Sequence, residues 1–495
     1  MDDRTVNVVG AGLAGLAAAI ELSRKGVKCN LISFQPSERA QSVLAEGGIN
    51  AALDTMGEGD TTEEHFKDTM KGGCYLETES AVRNLTDNAP DIVKELYRLG
   101  VPFCSENGRI ILRNFGGQAK KRTAYAKSST GKMIMTALID ETRKYEAAGL
   151  VTRYQHHELV AMDVKNRQLV SISVKDRFSD DTFTFTGSTI LCTGGLNGFF
   201  EGMTTGTAAN TGNAAAIAFD SGVEFANLEM IQYHPTTVAI CNKRMLISEA
   251  ARGEGGRLYI IRNGKPWYFM EEKYPELGNL MPRDVVSREM YLVSRRDDCE
   301  GEVFLDMTGL DDNIWKNKLS DLRSEIISYL HKDPAKEPVA VSPGIHFFMG
   351  GIKVTDEHET NIRGLYAAGE AACKYHGANR LGGNSMLGAL FGGKTAAASA
   401  AVSAGQCIVK KTETPVGTVS SPEIRHILRD VLLEGLGIVR NTKSMNDSLQ
   451  KINTLCDKTE KNSIDSKRIK FAAAMLNSAL ARTQSLGAHF LMNDG

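Results

Sequence analysis

The chain has 495 residues, 42% hydrophobic and 24% charged, with a formal net charge of −2 at pH 7. That length exceeds what one core serves, so two or three domains are expected, and the near-neutral balance argues against a nucleic-acid or polyanion binder. No leader and no run of 18 apolar residues is found, so a cytoplasmic chain with no direct membrane span is expected.

From the N-terminus, TVNVV (5–9) reads as a strand, GAGLAG (10–15) as a tight turn, and LAAAIELSRKG as a helix stopped by Gly26. A second strand ends at Ser33, where such folds ordinarily carry an acid that holds a ribose hydroxyl. Strand, glycine turn and helix in this order form a dinucleotide-binding unit, with Gly10, Gly12 and Gly15 admitting a pyrophosphate to the helix N-terminus. Two later pieces belong to the same site. TILCTGG (189–195) runs a strand into Thr193 and Gly194, and NIRGLYAAGE (361–370) puts Glu370 at a strand end where it can hold cofactor hydroxyls.

These pieces are far apart in the chain, so the cofactor domain is discontinuous. The expected division is 1–229 and 346–409 for that domain, 230–345 for an inserted α+β capping domain, and 410–495 for a helical tail. Helices are expected at 423–440 and 462–484. Nine cysteines without a C-x-x-C pair read as reduced core thiols, so neither a metal centre nor an iron–sulfur module is expected here.

The chemistry concentrates beyond residue 230. IQYHPTTV contains His234, ISEAARGEGG contains Ser248, Glu249 and Arg252, and MPRDVVSRE contains Arg283. GIHFFMGG adds His346, and HGANRLGGNS (376–385) sets Arg380 among Gly and Asn residues. His234, Ser248, His346 and Arg380 are donors able to fix two carboxylates, because a guanidinium fork matches a carboxylate in geometry and charge. Glu249 and Arg252, at i and i+3, share a helix face and with Arg283 can move a proton. The pattern calls for hydride transfer between a flavin and a small dicarboxylate.

With AEGGINAAL (45–53), NFGGQ (114–118) and SLGAHF (485–490), these motifs are similar to those of the flavoprotein subunits of fumarate reductase and succinate dehydrogenase. That superfamily also includes L-aspartate oxidase. The resemblance implies an FAD-dependent oxidoreductase acting on CH–CH bonds. Arg283 would be the proton donor, fed through Glu249 and Arg252, and Phe115 would pack beside the substrate. It adds Ser33, Gln41, Ser42, Gly47, Gly48, Ser385 and Leu387 to the cofactor contacts, together with Arg380. Free Arg is a poor acid, so its role requires the relay and a site that excludes water.

Departures from the family pattern shape the expectation. Gln41 stands where the quinone-linked members carry a histidine bonded to FAD, so FAD is expected to be non-covalent; loss of that bond goes with poor succinate oxidation. Glu46 replaces the usual Gln, Lys132 a common His, and Leu486 the usual Arg of the tail motif. The leading expectation is reduction of fumarate or a similar unsaturated acid, with electrons from an iron–sulfur subunit or a reduced carrier. The alternatives are L-aspartate oxidase, disfavoured because 109–131 contains no Asp or Glu, the flavoprotein subunit of a succinate dehydrogenase-type complex, and a non-catalytic flavin-carrying subunit.

Overall fold

The computed structural model describes residues 3–415 and 417–492. At its centre lies a parallel sheet in the order Leu365–Ala367, Thr189–Leu191, Arg4–Val9, Lys28–Ser33, Val151–Gln155. Parallel strands covered on both faces are largely apolar. Val6, Val8, Leu31, Ile32 and Ile190 are all fully buried, each contributing about 1.5–3 kcal/mol relative to exposure. The helices Leu13–Arg24 and Asn384–Ser403 cover one face. At Gly393 an added Cβ would lie 2.2 Å from the Ala14 carbonyl, so the two helices meet backbone to backbone.

An antiparallel sheet of Val409–Thr412, Thr182–Thr186, Gln168–Asp176 and His157–Lys165 adjoins this unit. A second core surrounds a six-stranded antiparallel sheet built from residues 231–348. Its strands Ile231–Ile240 and Val339–Phe348 pair directly, and the helix Arg283–Val293 packs against the first of them. The architecture is therefore α/β, with a Rossmann-like parallel sheet assembled from distant segments and a helical C-terminal part.

In that last part the structure departs from the sequence reading. The expected helices are Pro422–Gly435 and Ile464–Ala481, and a third, Thr442–Asp457, lies between them. Met445, Leu449 and Ile452 recur at helical spacing there and pack into the tail's core, with Asn441 capping the first turn through its side chain. Its predominantly polar composition hid this stripe. Among the described residues no helix is long and apolar enough to cross a membrane.

Candidate active site

A cavity of about 450 Å³ runs from the parallel sheet to the six-stranded sheet. One end is made of backbone. Gly10 follows the first strand at φ +113°, and a Cβ there would sit 2.0 Å from the Cys192 carbonyl, so only glycine lets the two strand ends meet. Gly12, which has no side chain to cap it, precedes the helix Leu13–Arg24, and Gly12, Leu13 and Ala14 bring the helix N-terminus to the cavity. Ser33 lines the same end, and its hydroxyl is buried without a partner. Ser42 accepts a hydrogen bond from the Leu13 N–H at 3.2 Å, and the Gln41 side-chain carbonyl accepts one from the Thr207 N–H at 2.6 Å. Gly47, Gly48, Thr193, Gly194, Glu370 and Ser385 complete the lining. Burial pushes Glu370 up to about 7, opposed by the Phe348 N–H it accepts at 3.0 Å and by Arg380. A helix N-terminus at the cavity, an orphaned hydroxyl and a glycine cradle fit a dinucleotide cofactor.

The structure places three predicted residues elsewhere. Gly15 lies inside the first helix, where a Cβ would meet the Gly10 carbonyl at 1.8 Å, so it serves the turn and does not line the cavity. Leu387 is fully buried in the hydrophobic core. It sits two residues past Ser385 on a helix, about 200° around the axis, and cannot share Ser385's face. Arg252 stands behind Glu249, away from the cavity wall, at 3.6 Å from Glu249 Oε1, and donates to the Asn279 carbonyl.

The other end is built from buried charge. Arg283 Nε and Nη2 donate to Glu249 Oε2 at 2.9 and 2.6 Å. Glu249 Oε1 accepts from the Gly116 N–H at 3.1 Å. Burial alone would raise the Glu249 pKa, but Arg283, Arg252 and these hydrogen bonds outweigh it and hold the carboxylate below its ordinary range. Burial, reinforced by Arg283, pulls Arg380 well below the usual guanidinium value. Glu249 faces Arg283 and Arg252, and Glu370 lies within electrostatic reach of Arg380, so three buried guanidiniums outnumber the carboxylates around them. Burying such charges is costly, and a dianion in the cavity would offset that cost.

His234 and His346 stand with ring centroids 5.1 Å apart, and burial, with Arg283 next, keeps both imidazoles neutral. The Thr236 N–H donates to His234 Nδ1 at 3.3 Å, which leaves the ring proton on Nε2 as a donor. His346 Nδ1 is paired with the Thr205 hydroxyl at 2.8 Å. Ser248 lines the cavity beside them, and the ring of Phe115 closes over Gly47, 3.2 Å from where a Cβ would stand.

One residue escaped the sequence reading, and another stood out there only as a departure from the family pattern. Gln232 is fully buried, and its Oε1 accepts from Arg283 Nη1 at 3.2 Å and Arg380 Nη2 at 3.0 Å, so one neutral amide joins the two cations. It lies two residues before His234 on one strand, and alternation alone puts both on one face. Glu46 lines the cavity next to Gly47, and its Oε2 is buried without a partner. Burial, then Glu325, push its carboxyl up to about 8 against the pull of Arg113.

Residues 5–386 match the family model described as FAD binding domain. The chain is similar to the succinate dehydrogenase flavoprotein subunit of Bacillus subtilis, 41% identical over 406 residues, which span 81% of this chain and 69% of that one. L-aspartate oxidase 2 of Ralstonia nicotianae is 34% identical, over 98% of this chain and 90% of its own. The structure superposes on a variant of E. coli quinol fumarate reductase with a TM-score of 0.88 at 26% identity, covering 99% of this chain and 91% of the other.

Proposed function

Because the chain belongs to the FAD-binding family of the succinate dehydrogenase and fumarate reductase flavoprotein subunits, we propose that it reduces fumarate, or a closely similar small unsaturated dicarboxylic acid, to its saturated product. The enzyme is an FAD-dependent oxidoreductase. The reading rests on one observation: two buried guanidiniums that line the cavity, Arg283, paired with Glu249, and Arg380, are joined behind it by the Gln232 amide.

Gly10, Gly12, Ser33, Ser42, Thr193, Gly194 and Glu370 would hold the FAD. Gln41, whose amide cannot form the bond a histidine makes, would leave it non-covalent. Bound there, FAD supplies the hydride. Arg380, His234, His346 and Ser248 hold the two substrate carboxylates, and Phe115 packs against the acid. Arg283 gives a proton to the substrate carbon opposite the hydride, so hydride and proton together saturate the double bond. The proton is replaced through Glu249, which is hydrogen-bonded to Arg283 and ion-paired to Arg252. The use of Arg283 as an acid depends on that relay and on a site from which water is excluded. The segment 230–345 would be the cap that excludes water. Two electrons per turnover come from an iron–sulfur partner or a reduced carrier.

A second reading, oxidation of L-aspartate, is favoured by the Glu46 carboxyl, which lines the cavity and could receive an ammonium. One anaerobic experiment separates them. The flavin is reduced, fumarate is added, and the return of oxidised-flavin absorbance is followed. L-aspartate is added to oxidised enzyme in parallel. Reoxidation by fumarate with no response to aspartate supports the reductase. Flavin reduction by aspartate overturns it.

A further inference from the structure

The Gly382 carbonyl, directly after Arg380 and Leu381, receives two side-chain donors from different parts of the chain. Asn50 Nδ2 and Gln118 Nε2 each reach it at 2.8 Å. Asn50 belongs to the segment that begins with the cavity-lining Gly47 and Gly48. Gln118 ends the loop that carries Phe115 and Gly116, whose N–H holds Glu249. Three segments lining the cavity therefore meet at one carbonyl oxygen. The Asn50 N–H also donates to the Gly383 carbonyl at 3.1 Å, so Asn50 grips two successive peptides of the Arg380 loop.

The junction lies against the proton-delivery pair. A Cβ at Gly382 would stand 3.0 Å from Glu249 Oε2 and from the Phe115 ring, and 3.3 Å from Arg283 Nη2. Behind it, the remaining amide groups are satisfied in series. Asn50 Nδ2 donates to Asn384 Oδ1 at 2.8 Å, and the Thr123 hydroxyl donates to Asn50 Oδ1 at 2.6 Å. Asn384 in turn bonds Thr69 and His65 of the helix Thr62–Gly72, each at 3.0 Å. Asn50, Asn384, Thr123 and His65 are fully buried. A chain of amides anchored on a helix has one low-energy arrangement, because any shift leaves a buried donor unpaired.

We propose that Asn50 and Gln118 are positioning residues that fix the Arg380 loop relative to the flavin-side turn and to the Arg283–Glu249 pair. The inference rests on the reductase reading for the identity of the acid. Amides suit the task because they carry no charge. A carboxylate here would compete with the substrate for the guanidiniums, and an ammonium would repel them. A misplacement of about 1 Å at a reacting centre costs about a hundredfold in rate, so loss of the junction is expected to appear in turnover.

The test replaces each amide by its acid isostere, Gln118→Glu and Asn50→Asp, in the FAD-loaded protein, with Gln118→Leu as a second variant. Flavin content and melting temperature identify any variant that fails to fold; if Asn50→Asp fails, the Gln118 pair carries the test. A neutral carboxyl can still donate its O–H to the Gly382 oxygen, whereas a carboxylate repels it. His65 titrates outside the range used, being held down to about 3 by burial first and then Arg122. Relative to the wild-type enzyme at each pH, the rate of flavin reoxidation by fumarate in Gln118→Glu is expected to fall about ten- to a hundredfold at pH 8 and to recover toward pH 5. Gln118→Leu should be slow at every pH. The dissociation constant of malonate, an unreactive dicarboxylate read through the oxidised-flavin spectrum, should weaken with pH in the same variant and hold steady in Gln118→Leu. A Gln118→Glu to wild-type ratio that stays flat with pH in both measurements overturns the proposal. A wild-type enzyme that binds malonate and ignores fumarate overturns only the choice of acid, and the malonate series then decides the positioning role. Wild-type protein silent to both acids overturns the reductase reading and the inference with it.

Discussion

At the cofactor end of the cavity Gly10, Gly12 and Gly48 bring backbone to the wall. At the acid end the wall is made by the side chains of Arg283, Arg380, Glu249 and His234, all buried, and of the partly exposed His346. Backbone tolerates no added volume but is indifferent to charge; a buried ion cluster tolerates no loss of charge but has flexible side chains that can shift. Damage to the first end should therefore appear as lost flavin, and damage to the second as lost chemistry on a flavin that stays bound.

The largest effect is expected from Arg283→Ala. General acid catalysis is worth about 10²–10⁴ in rate, and removing this side chain also leaves Glu249 as a buried carboxylate without its hydrogen-bonded partner. Fumarate reoxidation of the flavin should fall by that factor with flavin content unchanged. Arg283→Lys should not restore it, since one ammonium cannot bond Glu249 through two nitrogens and also reach Gln232. A variant that loses flavin in proportion to activity would erase the contrast between the two ends.

Gly48→Ala probes the cofactor end. Gly48 has φ +141°, and a Cβ there would stand 2.5 Å from Thr123 Cγ2 and 2.6 Å from the Ala124 carbonyl. Strain plus overpacking of about 1–3 kcal/mol should weaken FAD binding about ten- to a hundredfold, read by flavin retained after gel filtration. The rate per bound flavin should remain close to wild type. Normal flavin content with slow turnover would place Gly48 in the chemistry instead.

Gln232→Glu sharpens the charge argument. A carboxylate between Arg283 and Arg380 would neutralise positive charge that the proposed substrate would otherwise meet. A charged hydrogen bond is worth about 1.5–3 kcal/mol, so the fumarate KM should rise about tenfold or more, with flavin content and its redox response to dithionite unaffected. An unchanged KM would mean that the two guanidiniums are not what recognises the acid.

The contrast also explains what the sequence made legible. Glycines before a helix and charged residues among apolar ones are conspicuous by type, and Gly10, Glu249, Arg283 and Arg380 were read without coordinates. Gln232, Asn50 and Gln118 are neutral amides, which sequences place as readily on a surface as in a core. Their significance arises only when strands and loops hundreds of residues apart converge. Leu387 shows the opposite error: neighbours in sequence on a helix face different ways, and a motif copied whole carries core residues along with it. In the tail, the helix Thr442–Asp457 was hidden by its polar composition although its apolar spacing was present.

The smallest expected effect lies at Glu46, where the two ends meet. Its carboxyl, pushed up to about 8 by burial first and by Glu325 next, stays neutral in the folded chain where the unfolded chain has already ionised from about 4.5 upward. The folded state therefore holds a proton that the unfolded state has lost, and stability contributed at this site falls as pH rises from about 4.5 to about 8, then levels off. The amide introduced by Glu46→Gln cannot ionise in either state, so the decline disappears. In protein freed of flavin, the melting temperature of Glu46→Gln relative to wild type should be near zero at pH 4.5 and grow steadily toward pH 8. A constant offset at every pH would mean that the carboxyl ionises normally in the folded chain, and the acid end of the cavity would then extend across Gly47 into what is here the cofactor end.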